Sequence, residues 1–201
     1  QAAFPYDDLV ATNRNRGRGR PEYELLDTGV FDQDRYFDVF VEYAKADADD
    51  VLLRITATNR GPETARLFLL PQAWFRNTWS WTKAEQKPSL TAIDERSVNV
   101  EHPALGHFTL CFEGAQALFF CDNETNAPKL FGATDVHGYF KDAFHEFIVH
   151  GNKDAVSPAR TGTKVGGLIT RDLAAGASTV MRVRLRPAAI SNTDAFADFD
   201  A

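Results

Sequence analysis

Apolar and polar residues alternate with a period of two along much of this chain, the mark of strands that turn one face to a core. Phe37, Val39, Val41 and Tyr43 alternate with Asp38, Phe40 and Glu42. Val51, Leu53, Ile55 and Ala57 form a second such face, and the turn signal Asn59-Arg60-Gly61-Pro62 separates it from a third run, Ala65–Leu70. These runs predict a meander of antiparallel strands. Further strands are expected at Phe108–Phe112, Ala117–Cys121, Gly162–Asp172 and Thr179–Leu185, where Val183 and Leu185 alternate with Arg182, Arg184 and Arg186.

Helix signals are few. Asp142–His150 reads as one short turn of helix or as another strand, and Thr193-Asp194-Ala195-Phe196 resembles an N-cap leading into a helix. Many strands with few short helices predict an all-β fold, an antiparallel two-sheet sandwich. Neither an internal repeat nor a Pro/Gly/Ser-rich linker divides the chain, so residues 1–201 read as a single domain.

Composition narrows the function classes. With 44% hydrophobic and 25% charged residues the chain is of globular type, and its net charge of −6 disfavours nucleic acid and anionic membrane as partners. The basic run Asn13-Arg14-Asn15-Arg16-Gly17-Arg18-Gly19-Arg20 is flanked by Asp7-Asp8 and Glu22-Tyr23-Glu24, so it reads as a solvated loop that pairs locally. No apolar run approaches the roughly 20 residues that cross a bilayer. The opening Gln1-Ala2-Ala3-Phe4-Pro5-Tyr6 reads as internal to a longer chain.

Cys111 and Cys121 are the two cysteines. If Gly114 turns a hairpin joining Gly106–Glu113 to Ala115–Cys121, the two thiols are staggered too far for a disulfide, and both are expected reduced and buried. Reduced thiols point to a cytoplasmic location.

Most reactive motifs are missing. The five histidines lack metal-ligand spacing, so no metal site is expected, and neither dinucleotide nor P-loop glycine patterns occur, so no cofactor is expected. Asn123-Glu124-Thr125 matches a glycosylation sequon but is set aside as a chance match. A glycosidase carboxylate pair has 28 acidic residues to choose from, and sequence spacing does not select one.

Two stretches remain chemically dense. Trp74-Phe75-Arg76-Asn77-Thr78-Trp79-Ser80-Trp81 holds all three tryptophans. Pyranose rings stack their C–H faces on indole while Arg and Asn suit hydroxyls, yet indoles equally serve as packing in a core or between domains. The second stretch, His137–Gly151, mixes aromatics with Lys141, Asp142, His145 and Glu146 and reads either as a loop over a cleft or as a buckled, packed strand.

Together, Asp27–Asp32, Asp34–Val39, Trp74–Trp81, Lys141–His145 and Arg160–Lys164 resemble the N-terminal region of bacterial proteins of glycoside hydrolase family 63, related to mannosyl-oligosaccharide glucosidase. The resemblance implies a supersandwich similar to galactose mutarotase-like domains, excised from a longer chain whose C-terminal (α/α)6 barrel carries the catalytic acid and base. It implies that barrel and an oligosaccharide or glucoside substrate as partners, and no catalytic residue in this chain. The contact candidates are Trp74, Arg76, Asn77, Trp79, Trp81, Lys141, Asp142 and His145.

Three functions follow from these readings. The first is a non-catalytic β-sandwich domain of a glucosidase-like hydrolase, packed on the barrel and lining its pocket, and inactive as a separate chain. The second is a freestanding carbohydrate-binding module with an indole platform. The third is a complete small hydrolase using Asp142, His145 and Glu146.

Overall fold

A computed structural model describes residues 4–81, 86–190 and 194–200. The chain is all-β with two sheets and few short helices. Its strands are β1 (Phe37–Asp47), β2 (Asp50–Asn59), β3 (Ala65–Leu69), β4 (Gln72–Trp74), β5 (Ser89–Ala92), β6 (Ser97–His102), β7 (Gly106–Phe112), β8 (Ala117–Cys121), β9 (Thr161–Gly162), β10 (Lys164–Leu173) and β11 (Ser178–Pro187). One sheet has the order β1-β2-β11-β7-β6-β5-β9. The other runs β3-β10-β4, with β8 also paired to β10.

This order corrects two expectations. β3 belongs to the second sheet, so β1, β2 and β3 are not one meander. Nor do β7 and β8 form a hairpin: β7 pairs with β6 and β11, whereas β8 pairs with β10. Gly114, at φ 65°, sits in the corner that carries the chain from one sheet to the other. A glycine between two period-two runs is the same signal for a hairpin and for such a corner. Cys111 and Cys121 therefore lie in different sheets, both buried and both free thiols.

Three predicted faces also differ from what is observed, one of them in β11, where Arg184 and Arg186 are buried and Leu185 is only half-buried. β1 is the edge of its sheet, and Val39, Phe40, Val41 and Tyr43 are all exposed, because an edge strand lacks a neighbour on one side. Along β2 the buried apolar positions are Leu52 and then Ile55 and Ala57, so the burial phase slips by one residue and Val51 and Leu53 are only half-buried.

The helices are α1 (Tyr6–Asn15), α2 (Ala127–Phe131) and α3 (Ala143–Ile148). No apolar period announces α1, since none of its residues is buried; Asp7 and Asp8 in its first turn and Arg14 in its last suit the helix dipole instead. The basic run thus begins inside a helix, and its Arg16 packs over Tyr23, 4.8 Å from the ring centroid, rather than pairing with an acid. Asp142–His150 resolves as the helix α3. Thr193, the expected cap near the end of the chain, lies outside the described residues, and residues 194–200 form turns.

The barrel partner implied by the resemblance is corrected here. The described residues contain three helices of 10, 5 and 6 residues, and no (α/α)6 barrel is present. Chain segments whose apolar residues recur every second position cannot present the continuous apolar stripe that barrel helices pack together. None of the described helices is long and apolar enough to cross a membrane.

Two compact units are distinguished. The first comprises the described residues of Gln1–Phe40, Thr56–Leu67 and Arg171–Val180. Within it Asn59, 1% exposed, donates to the carbonyls of Glu63 at 2.7 Å and Leu173 at 2.9 Å and accepts from Gly61 N–H at 2.9 Å, so one buried amide ties the turn after β2 to the end of β10.

The second unit comprises the described residues of Val41–Ile55, Phe68–Thr170 and Met181–Ala201. Here β10 has different neighbours on its two faces. On one, Gly167 lies against Phe112 of β7, so close that an added Cβ would meet the ring at 2.5 Å. On the other, Lys164 and Gly166 lie against Phe144 of α3, and Phe119 of β8 meets the Phe147 ring at 4.3 Å. Alternation along β8 and β10 thus seats α3 on the second sheet, and α3 in turn places the loop before it.

Candidate functional site

The tryptophan stretch leaves the second sheet at β4, where Trp74 pairs in register with Lys164 of β10. Beyond it, asparagines replace strand hydrogen bonds. Asn123, two residues past β8, donates its side-chain amide to Phe75 O at 2.9 Å, and Asn77 donates in return to Asn123 O at 3.1 Å. Asn77 also accepts from Ser80 N–H at 3.2 Å, which turns the chain back. Trp79 is half-buried, and its Nε1–H donates to Glu124 Oε1 at 3.2 Å. With this frame fixed, Trp74 and Trp81 are left outside, 57% and 66% exposed. The Arg76 guanidinium covers one face of Trp81, 5.1 Å from the ring centroid.

Lys87 joins this loop to a cavity. Its ammonium contacts Glu124 at 3.2 Å and Asp122 at 3.1 Å, and it stands 5.9 Å from the centroid of Trp79. Burial draws the Lys87 pKa down, but the Asp122 and Glu124 carboxylates outweigh it and hold the group above the ordinary lysine value. The cavity, about 370 Å³, is lined by Lys87, Ser89, Asp122, Tyr139, Ser157 and Thr163, with Cys121 and Gly162 also at its wall. Gly162 is required there by space: a Cβ would sit 2.3 Å from the Cys121 carbonyl oxygen. Thr163 locks Asp122 in place, donating to Oδ1 from its backbone N–H at 3.2 Å and its hydroxyl at 3.3 Å.

The second predicted region meets the same loop from the other side of sequence. Lys141 donates its backbone N–H to Glu124 O at 3.0 Å and its ammonium to Thr125 Oγ1 at 3.1 Å. Its carbonyl accepts from Lys164 at 2.9 Å, and burial lowers the pKa of Lys164. Asp142 turns elsewhere. Both its oxygens accept from Asn126 at 3.2 Å, and Lys129 bridges it to Glu146 at a separate cavity of about 290 Å³. His145 joins neither group: its ring is exposed and meets His150 at 5.1 Å.

The small-hydrolase arrangement is not assembled by this geometry. Asp142 and Glu146 share one lysine, and the hydrogen bond from Lys129 holds the Glu146 carboxyl below its ordinary value, the opposite of a general acid poised to protonate a leaving group. Among the described residues no group of three or more His, Cys, Asp or Glu is placed to hold a metal.

No family model matches the chain. It is 34% identical over 197 residues to the uncharacterized protein YMR196W of Saccharomyces cerevisiae, an alignment that covers 81% of this chain. The chain spans only 18% of the length of that relative.

Of the eight candidate residues, the structure gathers Asn77, Trp79 and Lys141 around the Asn123–Thr125 backbone and leaves Trp74, Arg76 and Trp81 on the adjoining surface. Lys87, Asp122, Glu124 and Thr163 complete the site and were missed by the sequence reading. Their side-chain bonds to one another and to Trp79 span 35 to 45 residues, so no local pattern announces them. The one available signal was the Asn123-Glu124-Thr125 cluster, set aside as a chance sequon.

Proposed function

We propose that this chain is a non-catalytic β-sandwich domain of a glucosidase-like glycoside hydrolase, of the mutarotase-like supersandwich kind, and that it contacts carbohydrate through Trp74 and Trp81. The observation that carries the reading is the exposure of these two indoles, 57% and 66%, on a loop that is otherwise hydrogen-bonded in place. Exposed indoles on a fixed frame offer stacking faces with little entropy left to lose on binding. Arg76 and Asn77 stand beside them as hydroxyl partners.

The close approach of Gly167 to Phe112 supports the sandwich, since the two residues belong to different sheets. The exposed apolar side chains of edge strand β1 support membership of a longer protein that covers them. A freestanding carbohydrate-binding module shares the indole platform but leaves that edge uncovered.

Titration of the chain with maltotriose, followed by tryptophan fluorescence, tests the reading. A saturable change, weakened at least ten-fold by combined Trp74→Ala and Trp81→Ala substitution, is expected. A flat titration, or one that the double substitution leaves unchanged, overturns it.

A further inference from the structure

We infer that the cavity between Lys87, Asp122, Tyr139, Ser157 and Thr163 is a subsite for one neutral pyranose ring. This rests on the carbohydrate reading above and extends it from the surface indoles to a concave site that carries several polar side chains.

The argument begins with hydrogen-bond capacity. An ammonium carries three protons, and Lys87 uses two of them on Asp122 and Glu124. A carboxylate offers about four acceptor positions. Asp122 uses three, on Thr163 N–H, the Thr163 hydroxyl and Lys87. One donor and one acceptor therefore remain side by side, an arrangement that suits a sugar hydroxyl accepting from Lys87 and its neighbour donating to Asp122.

Two further hydroxyls are uncommitted. Tyr139 and Ser157 line the cavity, and neither hydroxyl is hydrogen-bonded to another described residue. The Tyr139 backbone is nonetheless fixed, because its carbonyl accepts from Asp122 N–H at 2.7 Å, and Ser157 is held by its N–H to Phe120 O at 2.8 Å. The backbone at both positions is thus held in place. A volume of about 370 Å³ lies at the small end of ligand sites, roughly 300 to 1,000 Å³. That is room for a single ring rather than an extended chain.

Charge decides which ring. Lys87 is already balanced by Asp122 and Glu124, so an anionic sugar meets two carboxylates and a cationic one meets an ammonium whose counter-charges are in use. The neutral form faces neither penalty. Lys87 also stands over Trp79, which connects the cavity to the loop that presents Trp74 and Trp81.

The test is a nuclear magnetic resonance titration of the chain with methyl α-glucoside, glucuronate and glucosamine, reading backbone amides of Asp122, Asn123 and Thr163. Methyl α-glucoside is expected to shift these amides with saturation, and the two charged sugars to bind at least ten-fold more weakly. Tyr139→Phe and Ser157→Ala each remove an unpartnered hydroxyl without breaking a structural bond, and each should weaken binding about five-fold, the value of one neutral hydrogen bond. Shifts confined to Trp74 and Trp81, unaffected by Tyr139→Phe, overturn the cavity and leave the indole platform standing. Shifts at the cavity that survive Trp74→Ala with Trp81→Ala support the subsite as a site independent of the platform. Tighter binding of either charged sugar, or no shift with any of the three, overturns the subsite.

Discussion

Trp79 and Lys87 converge on a single carboxylate oxygen, Glu124 Oε1, each at 3.2 Å. That one atom anchors the tryptophan loop to the strand β8 exit and simultaneously fixes the ammonium at the cavity. Replacing Trp79 by Phe removes the N–H donor together with the five-membered ring that carries it. The expected cost is at least about 1 kcal/mol, below the roughly 1.5–3 kcal/mol of a bond to a charged acceptor because the pair is only half-buried. For a chain of this size that corresponds to roughly 2–4 °C in Tm, read by calorimetry. An unchanged Tm would show that the indole bond does not hold the loop.

Asp50 and Arg184 form a different kind of pair. Two parallel hydrogen bonds, at 2.7 and 2.8 Å, join them with side chains 5% and 4% exposed. Arg184 also binds Asp198, whose side chain is 55% exposed. Asp50→Ala leaves a buried guanidinium with a partner only at the surface, and is expected to cost about 3–5 kcal/mol in urea unfolding. Asp198→Ala should cost far less than Asp50→Ala, since its charge is already solvated. Equal effects would contradict the burial-based account.

Cys121 predicts the alkaline limit of stability. It is 0% exposed, and burial pushes its thiol up to about 12, against an unfolded value near 8.5. Above about pH 8.5 the unfolded state loses this proton and the folded state keeps it, so the contribution to stability is present below that pH and declines as pH rises toward 12. The limiting slope for one group is about 1.4 kcal/mol per pH unit. Stability of Cys121→Ala should fall less steeply between pH 9 and 11 than that of the unaltered chain. Parallel curves would refute the assignment.

Part of this fold is legible in apolar runs such as Phe108–Phe112, which lies within β7 between β6 and β11, because a strand with neighbours on both sides buries such residues. The run Val39–Val41 looks the same, yet these residues are exposed, since strand order is decided by partners distant in sequence. The corner at Gly114 escaped for a related reason: local glycine geometry does not record which sheet receives the next strand. At the site, aromatic density announced Trp74–Trp81 and side-chain variety announced Lys141. What joins them is the exit of β8, and Asp122 and Glu124 acquire their role only when folding brings Trp79 and Lys87 to them.

The shared use of Lys129 by Asp142 and Glu146 predicts that this chain does not hydrolyse 4-nitrophenyl α-glucoside, and that Asp142→Asn leaves the background rate unchanged. Turnover that Asp142→Asn abolishes would restore the small-hydrolase reading.

The most direct test of the central claim observes the three indole N–H resonances during titration with maltotriose. Trp74 and Trp81 are open to solvent, whereas the Trp79 N–H is already committed to Glu124. The resonances of Trp74 and Trp81 are predicted to move with saturation and by more than that of Trp79. Movement of Trp79 alone, or of none of the three, would contradict the carbohydrate-contact account.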